Sequence, residues 1–226
     1  MRRVFIIALI LFSFVQTTIA SQISYDKSDF APIYTVIDDA AYDIRYYSQN
    51  NFTGNRINGY KAPVAYMTKE SLKALAVAAE DLRKQGYRLL IWDSYRPQKA
   101  VDNFVVWIND PKDAGAKEFY PDLKKSDLVK GGYIATKSSH TRGSTVDLTI
   151  IKKDGSFVDM GGAFDLFSEI SHPDYKKITR AQKRNREILR KAMFRAGFEG
   201  IDSEWWHFTL KNEPYPDTYF DFDVER

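Results

Sequence analysis

The chain has 226 residues and no cysteine, with 33 Lys and Arg against 30 Asp and Glu, a formal charge of +3, and 15% aromatic residues. The absence of cysteine excludes a disulfide framework and any thiolate metal site, and a nearly neutral domain carries no electrostatic footprint for nucleic acid. The length suits one packed domain, and no internal repeat or low-complexity tract divides it.

The first twenty residues read as a secretory signal: Arg2 and Arg3, an apolar stretch from Val4 to Val15, and a small-residue end at Thr18-Ile19-Ala20. The apolar stretch is shorter than the about 20 residues a membrane span needs. We therefore expect cleavage near Ala20, export to the periplasm or beyond, no stable membrane anchor, and a single domain over residues 21–226. Losing two arginines and no acid takes the formal charge from +3 to +1. Asn51-Phe52-Thr53 matches a glycosylation acceptor, which matters only in a eukaryotic secretory route.

Tyr34 to Ile37 and Tyr42 to Tyr46 read as short strands, and Asn50 to Tyr60 as a loop. Thr68 offers an N-cap to a helix in which Leu72, Leu75, Ala76, Ala79 and Leu82 recur at three- and four-residue spacing until Gly86. Arg88 to Asp93 is an apolar run suited to a buried strand. It hands over at Ser94-Tyr95-Arg96-Pro97 to a helix that Asn109-Asp110-Pro111 ends. Lys112 to Lys130 reads as a loop with a short helix, and Tyr133 to Thr136 as a strand.

From Ser144 the pattern alternates, with Thr145, Asp147 and Thr149 on one face and Val146, Leu148 and Ile150 on the other. Met160 to Asp165 is a glycine-bearing loop that lets backbone approach a ligand. Thr179 and Gln182 form a capping box before an apolar stripe that Gly197 ends. Glu204 to Leu210 looks like a strand with His207 and Thr209 on one face.

Without cysteine, a transition-metal site must use nitrogen and oxygen ligands, and His140 and Asp147, seven residues apart, are the natural first two. His207, on the polar face of its strand, is the favoured third. His172, in what reads as an exposed turn at Ser171 to Asp174, competes for the place. Two imidazoles and one carboxylate leave a fourth position for water, as catalytic zinc has and structural zinc lacks. Glu204 stands three residues before His207, so both reach one site only if Glu204 lies in a loop or bulge at the strand's start. A carboxylate so placed can take a proton from the attacking water and pass it to a leaving amine. Arg96 is a candidate for holding an oxyanion. Each residue also has a plainer use: a core histidine, a turn-capping aspartate, a salt-bridged arginine, a solvated glutamate. The chemical reading rests on finding them together.

Ser138-Ser-His-Thr-Arg-Gly-Ser-Thr-Val-Asp147, with Glu204-Trp-Trp-His207 and Asp93-Ser-Tyr-Arg-Pro97, resembles the motif set of the zinc D-alanyl-D-alanine dipeptidases of the VanX type. The likeness extends to Asn51-Phe-Thr-Gly54, to the Met160 to Asp165 loop, and to the tail from Glu213 to Phe222. The resemblance implies an α+β fold with a small, mostly antiparallel central sheet flanked by helices, as in the D-Ala-D-Ala metallopeptidase and hedgehog-like folds. It implies one zinc ion per chain on His140, Asp147 and His207, Glu204 as general base then acid, and Arg96 stabilising the transition state. It further implies a small D,D-dipeptide substrate, its ammonium held by Tyr46 and Asp165 and its carboxylate received by Ser138. Family members tied to glycopeptide resistance act in the cytoplasm, so the signal segment points instead to turnover of cell-wall fragments or nutrient recovery outside the inner membrane. Two other readings stand beside this one: a D,D- or L,D-carboxypeptidase acting on peptidoglycan peptides, and a non-catalytic zinc-containing module that binds peptides.

Overall fold

The structure, a computed structural model, describes residues 22–226. The segment read as a secretory signal, 1–20, lies outside the described residues. Along the chain, β1 (Gln22–Ser24), β2 (Phe30–Pro32), β3 (Ala41–Tyr42) and β4 (Tyr66–Thr68) precede α1 (Lys69–Lys84) and β5 (Tyr87–Asp93). Then come α2 (Gln98–Asn109), the short α3 (Asp127–Lys130), β6 (Thr145–Lys152) and α4 (Arg180–Arg195). β7 (Phe198–Gly200), β8 (His207–Leu210) and β9 (Thr218–Phe220) close the order.

Five strands form the central sheet in the order β3-β5-β6-β8-β7. β3 runs parallel to β5 and the other pairings are antiparallel. This is the α+β arrangement expected, with a mostly antiparallel sheet, and α1 packs on both β5 and α4. α1 forms because the Thr68 hydroxyl accepts from Ser71 N and its buried Leu72, Leu75, Ala79 and Leu82 make one stripe. α4 begins at the capping box of Thr179 and Gln182 and buries a narrow stripe of Arg186, Leu189, Ala192 and Met193.

Four expected strands are not strands over their full length, and of Glu204 to Leu210 only His207–Leu210 is one. Ile33–Thr35 is a 3-10 turn: Thr35 Oγ1 donates to Pro32 O at 2.7 Å, Ile37 N donates to Ile33 O at 2.9 Å, and both isoleucines are buried together. The apolar spacing there is one helical turn, which strand alternation does not distinguish over so few residues. From Tyr42 to Tyr46 the ladder ends when Asp43 N donates to Ile91 O, and Arg45–Tyr47 curls into a second 3-10 turn. Tyr133 and Ile134 both donate to Leu128 O, at 3.0 and 3.2 Å, so this segment wraps back on α3 and does not join a sheet.

The tail closes the molecule near the end of β5. Tyr95 OH donates to Phe222 O and accepts from Phe222 N, both at 2.9 Å, and the two rings stack 4.1 Å apart. Phe30 meets Tyr95, Phe220 and Phe222 edge-on at 5.1, 4.8 and 4.8 Å. This aromatic cluster backs the turn that carries His140.

Candidate active site

The sheet itself brings two of the expected ligands together. In the β6–β8 ladder Asp147 is the partner of His207 and Thr145 of Thr209, so one face presents all four. The threonine hydroxyls lie 2.8 Å apart, while Trp206 and Phe208 are buried. Glu204 lies in the loop just ahead of the Trp205–Trp206 turn, off the strand, and β8 starts only at His207.

His140 arrives from the 3-10 turn Ser139–Arg142, whose N-cap Ser138 accepts from His140 N. The turn ends at Gly143 with φ +81°, a conformation that favours glycine. A Cβ there would stand 2.2 Å from the Phe30 ring, and Gly143 O accepts from Thr68 N at 2.8 Å, so the turn is fixed against the start of α1.

The three side chains converge tightly. His140 Nε2 is 3.2 Å from Asp147 Oδ2 and 3.2 Å from His207 Nδ1, which is 3.1 Å from Asp147 Oδ1. One candidate ligand atom from each of the three lies within 4.8 Å of the others. The outer ring nitrogens are taken: His140 Nδ1 lies 2.7 Å from Ser94 O, which can only accept, and His207 Nε2 lies 3.2 Å from Ser139 Oγ. With protons on those outer nitrogens, both inner nitrogens present lone pairs to the same point. Asp147 Oδ1 is buried and has no hydrogen bond, despite its nearness to His207. Lone pairs of two imidazoles and a buried carboxylate, aimed at one another, suit a divalent cation, and two nitrogens with one oxygen match an open catalytic site. His172 is not in this group: it lines a neighbouring cavity.

Arg96 lies against the same centre. Its Nε donates to Asp93 Oδ2 at 2.9 Å, one terminal nitrogen is 3.7 Å from Asp147 Oδ2, and its guanidinium lies over the Tyr46 and Phe104 rings at 4.8 and 5.3 Å. Asp93 has a part that the sequence reading did not give it. It also accepts from Tyr60 OH at 2.6 Å and lies 3.7 Å from His140 Nδ1. Strict alternation would give Asp93 the same face as Leu89 and Ile91, but the β5–β6 register shifts between Ile91 and Asp93, setting Asp93 opposite Asp147. The signal available beforehand was an acid closing an otherwise apolar run.

The remaining expected residues, Tyr46, Ser138 and Asp165, line one cavity of about 230 Å³ with Arg96, Glu204 and the three candidate ligands. That is below the roughly 300–1,000 Å³ of pockets for drug-sized ligands. Tyr46 OH donates to Asp165 Oδ2 at 2.9 Å, and Asp165 adopts φ +58°, in the left-handed region. Phe52, from the Asn51 to Gly54 stretch, joins the wall at 6.1 Å from the Tyr46 ring. Asn51 is fully buried and its amide donates to Arg45 O, Ser48 O and Asn55 O, so here it organises a loop. A larger cavity of about 870 Å³ adjoins this one, sharing Tyr133, Ile201, Ser203 and Glu204.

The electrostatics separate the acids. Burial alone would raise Asp147, but His140 and His207 hold its carboxyl well below the usual range. Burial, opposed in part by His207, pushes Glu204 up to about 7. A carboxyl poised near neutrality beside a nitrogen-and-oxygen cation site can both accept and return a proton. Burial and the charge of Asp147 push Asp165 well above its ordinary value, so it lies where a cationic ligand group would be welcome.

A family model described as D-ala-D-ala dipeptidase matches residues 26–225. A D-alanyl-D-alanine dipeptidase of Streptomyces coelicolor is 42% identical over 198 residues, covering 87% of this chain and 98% of its own. One of Enterococcus faecalis is 45% identical over 185 residues, 81% of this chain and 92% of its own. One of Escherichia coli is 32% identical over 82% of this chain and 86% of its own. The chain belongs to the D-ala-D-ala dipeptidase family of peptidases.

Proposed function

We propose that this protein hydrolyses the free dipeptide D-alanyl-D-alanine to D-alanine, with one zinc ion held by His140, Asp147 and His207. When bound there, zinc supplies the charge that polarises a carbonyl and makes water a better nucleophile near neutral pH. Glu204 takes a proton from the attacking water and delivers it to the departing amine, a double duty that suits a carboxyl near 7. Arg96, backed by Asp93, faces the growing oxyanion. Asp165, with Tyr46 donating to it, receives the substrate's ammonium, and Ser138 helps receive its carboxylate.

The observation that carries this reading is Asp165, a buried carboxylate lining the same small cavity as Glu204 and the ligand triad. A longer peptide would set a neutral amide there and leave that carboxylate without a counter-charge, which is costly. The test is to incubate zinc-loaded protein with D-Ala-D-Ala and with a wall pentapeptide and to follow released amines. We expect cleavage of the dipeptide. Cleavage of the pentapeptide alone would favour a carboxypeptidase, and cleavage of neither would leave a binding module.

The residues at the chain's start support export and a role in turnover of wall fragments. Fractionation of cells expressing the full chain is expected to find it outside the inner membrane, and a cytoplasmic protein retaining residues 1–20 would sink that role.

A further inference from the structure

Arg186 is buried, at 5% exposure, and has no part in the chemistry above. It lies on the inner stripe of α4, where an apolar residue would fill the same space at less cost in desolvation. Among the described residues it makes no salt bridge. Burial lowers its pKa to about 10, and Asp159 opposes this only through space. Its hydrogen bonds go instead to three backbone carbonyls: Nε to Met160 O at 2.6 Å, and its two terminal nitrogens to Ile170 O at 2.8 Å and His172 O at 2.9 Å.

Those carbonyls belong to the two ends of one loop, 160–172. Between them lie Phe164, stacked on Trp92 at 4.9 Å, and Asp165 in its left-handed conformation. The loop begins at Gly161, φ +79°, where a Cβ would meet Gln182 of α4 at 2.9 Å. The guanidinium also lies 5.5 Å from the ring of Trp205, the residue after Glu204, whose backbone N–H donates to Ser171 O at 2.9 Å. A planar fork of fixed donors thus closes the loop that carries Asp165, and the Trp205 backbone bond to Ser171 joins that loop to the segment that carries Glu204.

We propose that Arg186 is a positioning residue for substrate selection: by pinning both ends of loop 160–172 it sets where the Asp165 carboxylate stands relative to the reacting centre. This rests on the reading of Asp165 as the partner of the substrate's ammonium. A lysine at 186 would keep the charge but lose the fork, and a glutamine would keep part of the donor set without the charge.

The test compares wild type, Arg186→Lys, Arg186→Gln and Asp165→Asn, all zinc-loaded, by thermal melting and steady-state kinetics. D-Ala-D-Ala is the substrate, and propionyl-D-alanine, the same molecule without its ammonium, is the competing ligand. For Arg186→Lys we expect KM to rise roughly tenfold while kcat and the inhibition constant of propionyl-D-alanine stay within about twofold. Arg186→Gln should shift the same quantity, and adding Asp165→Asn to either should raise KM no further. If Asp165→Asn raises KM and neither Arg186 variant does, the proposal is overturned while the Asp165 reading stands. If Asp165→Asn leaves KM unchanged, that reading fails and takes the proposal with it. If both Arg186 variants are unfolded at the assay temperature, the arginine holds the fold and the proposal is overturned.

Discussion

Replacing Gly143 by alanine tests whether the left-handed residue behind the ligand turn seats His140. At φ +81° an L side chain costs roughly 1–2 kcal/mol. The added Cβ would stand 2.2 and 2.4 Å from Phe30 ring atoms and 3.1 Å from Thr68 Cγ2. Phe30 has little room to retreat, being 7% exposed and edge-on to three other rings. Overpacking of this kind costs about 1–3 kcal/mol, so the two effects together come to about 2–5 kcal/mol. For a chain of this length that lowers the melting temperature by roughly 4–20 °C. The assay is thermal melting, with zinc content measured after dialysis, because a displaced turn also moves His140. Phe30→Ala alone should cost about 3–5 kcal/mol. The double variant should cost less than the sum by about 1–2 kcal/mol, since removing the ring removes the clash. A melting temperature within about 2 °C of wild type, or strict additivity in the double variant, refutes the reasoning.

Glu204→Gln is expected to lower kcat by about 10²–10⁴ while zinc content stays at one per chain, measured by metal analysis beside the rate assay. Chelation should abolish dipeptide hydrolysis and lower the melting temperature, by the equivalent of about 4 kcal/mol if zinc stood at 1,000 times its dissociation constant. In His140→Ala the chelator should leave melting unchanged. Asp93→Asn keeps a partner for Tyr60 but leaves Arg96 without its nearest carboxylate, and breaking a buried pair costs about 3–5 kcal/mol. Urea unfolding should report that loss together with a fall in kcat/KM; unchanged stability would mean that Arg96 is held by the aromatic rings instead.

The parts of this molecule that are periodic, or that follow local backbone chemistry, were legible in the sequence. α1 and α4 follow from spaced apolar residues and caps at Thr68 and Thr179, and the alternation of β6 places Asp147 on a polar face. That Glu204 lies outside the strand follows from parity once it and His207 are to reach one site. What stayed hidden depends on contacts between distant segments. Asp93 joins the site through a register shift between Ile91 and Asp93, and no pattern within β5 announces it. Arg186 reads as one of many basic residues on α4, and only the return of residues 160–172 onto that helix shows why it is buried. Tyr34 to Ile37 and Tyr133 to Thr136 read as strands because so few apolar residues fit a turn as well as a strand.

With zinc on His140, Asp147 and His207 as proposed, the cross-strand pairing of Asp147 with His207 would make that centre a gauge of how the sheet was assembled. A slip of one residue between β6 and β8 would turn one of the two ligands to the opposite face and leave a molecule with the same composition and nearly the same secondary structure. Such a molecule could not gather the three donors. In a preparation refolded from denaturant, zinc bound per chain would therefore count the fraction of molecules whose β6 and β8 found the right partner residues, which circular dichroism would not distinguish. Zinc present during refolding would draw the population toward that register, because only correctly paired chains bind it.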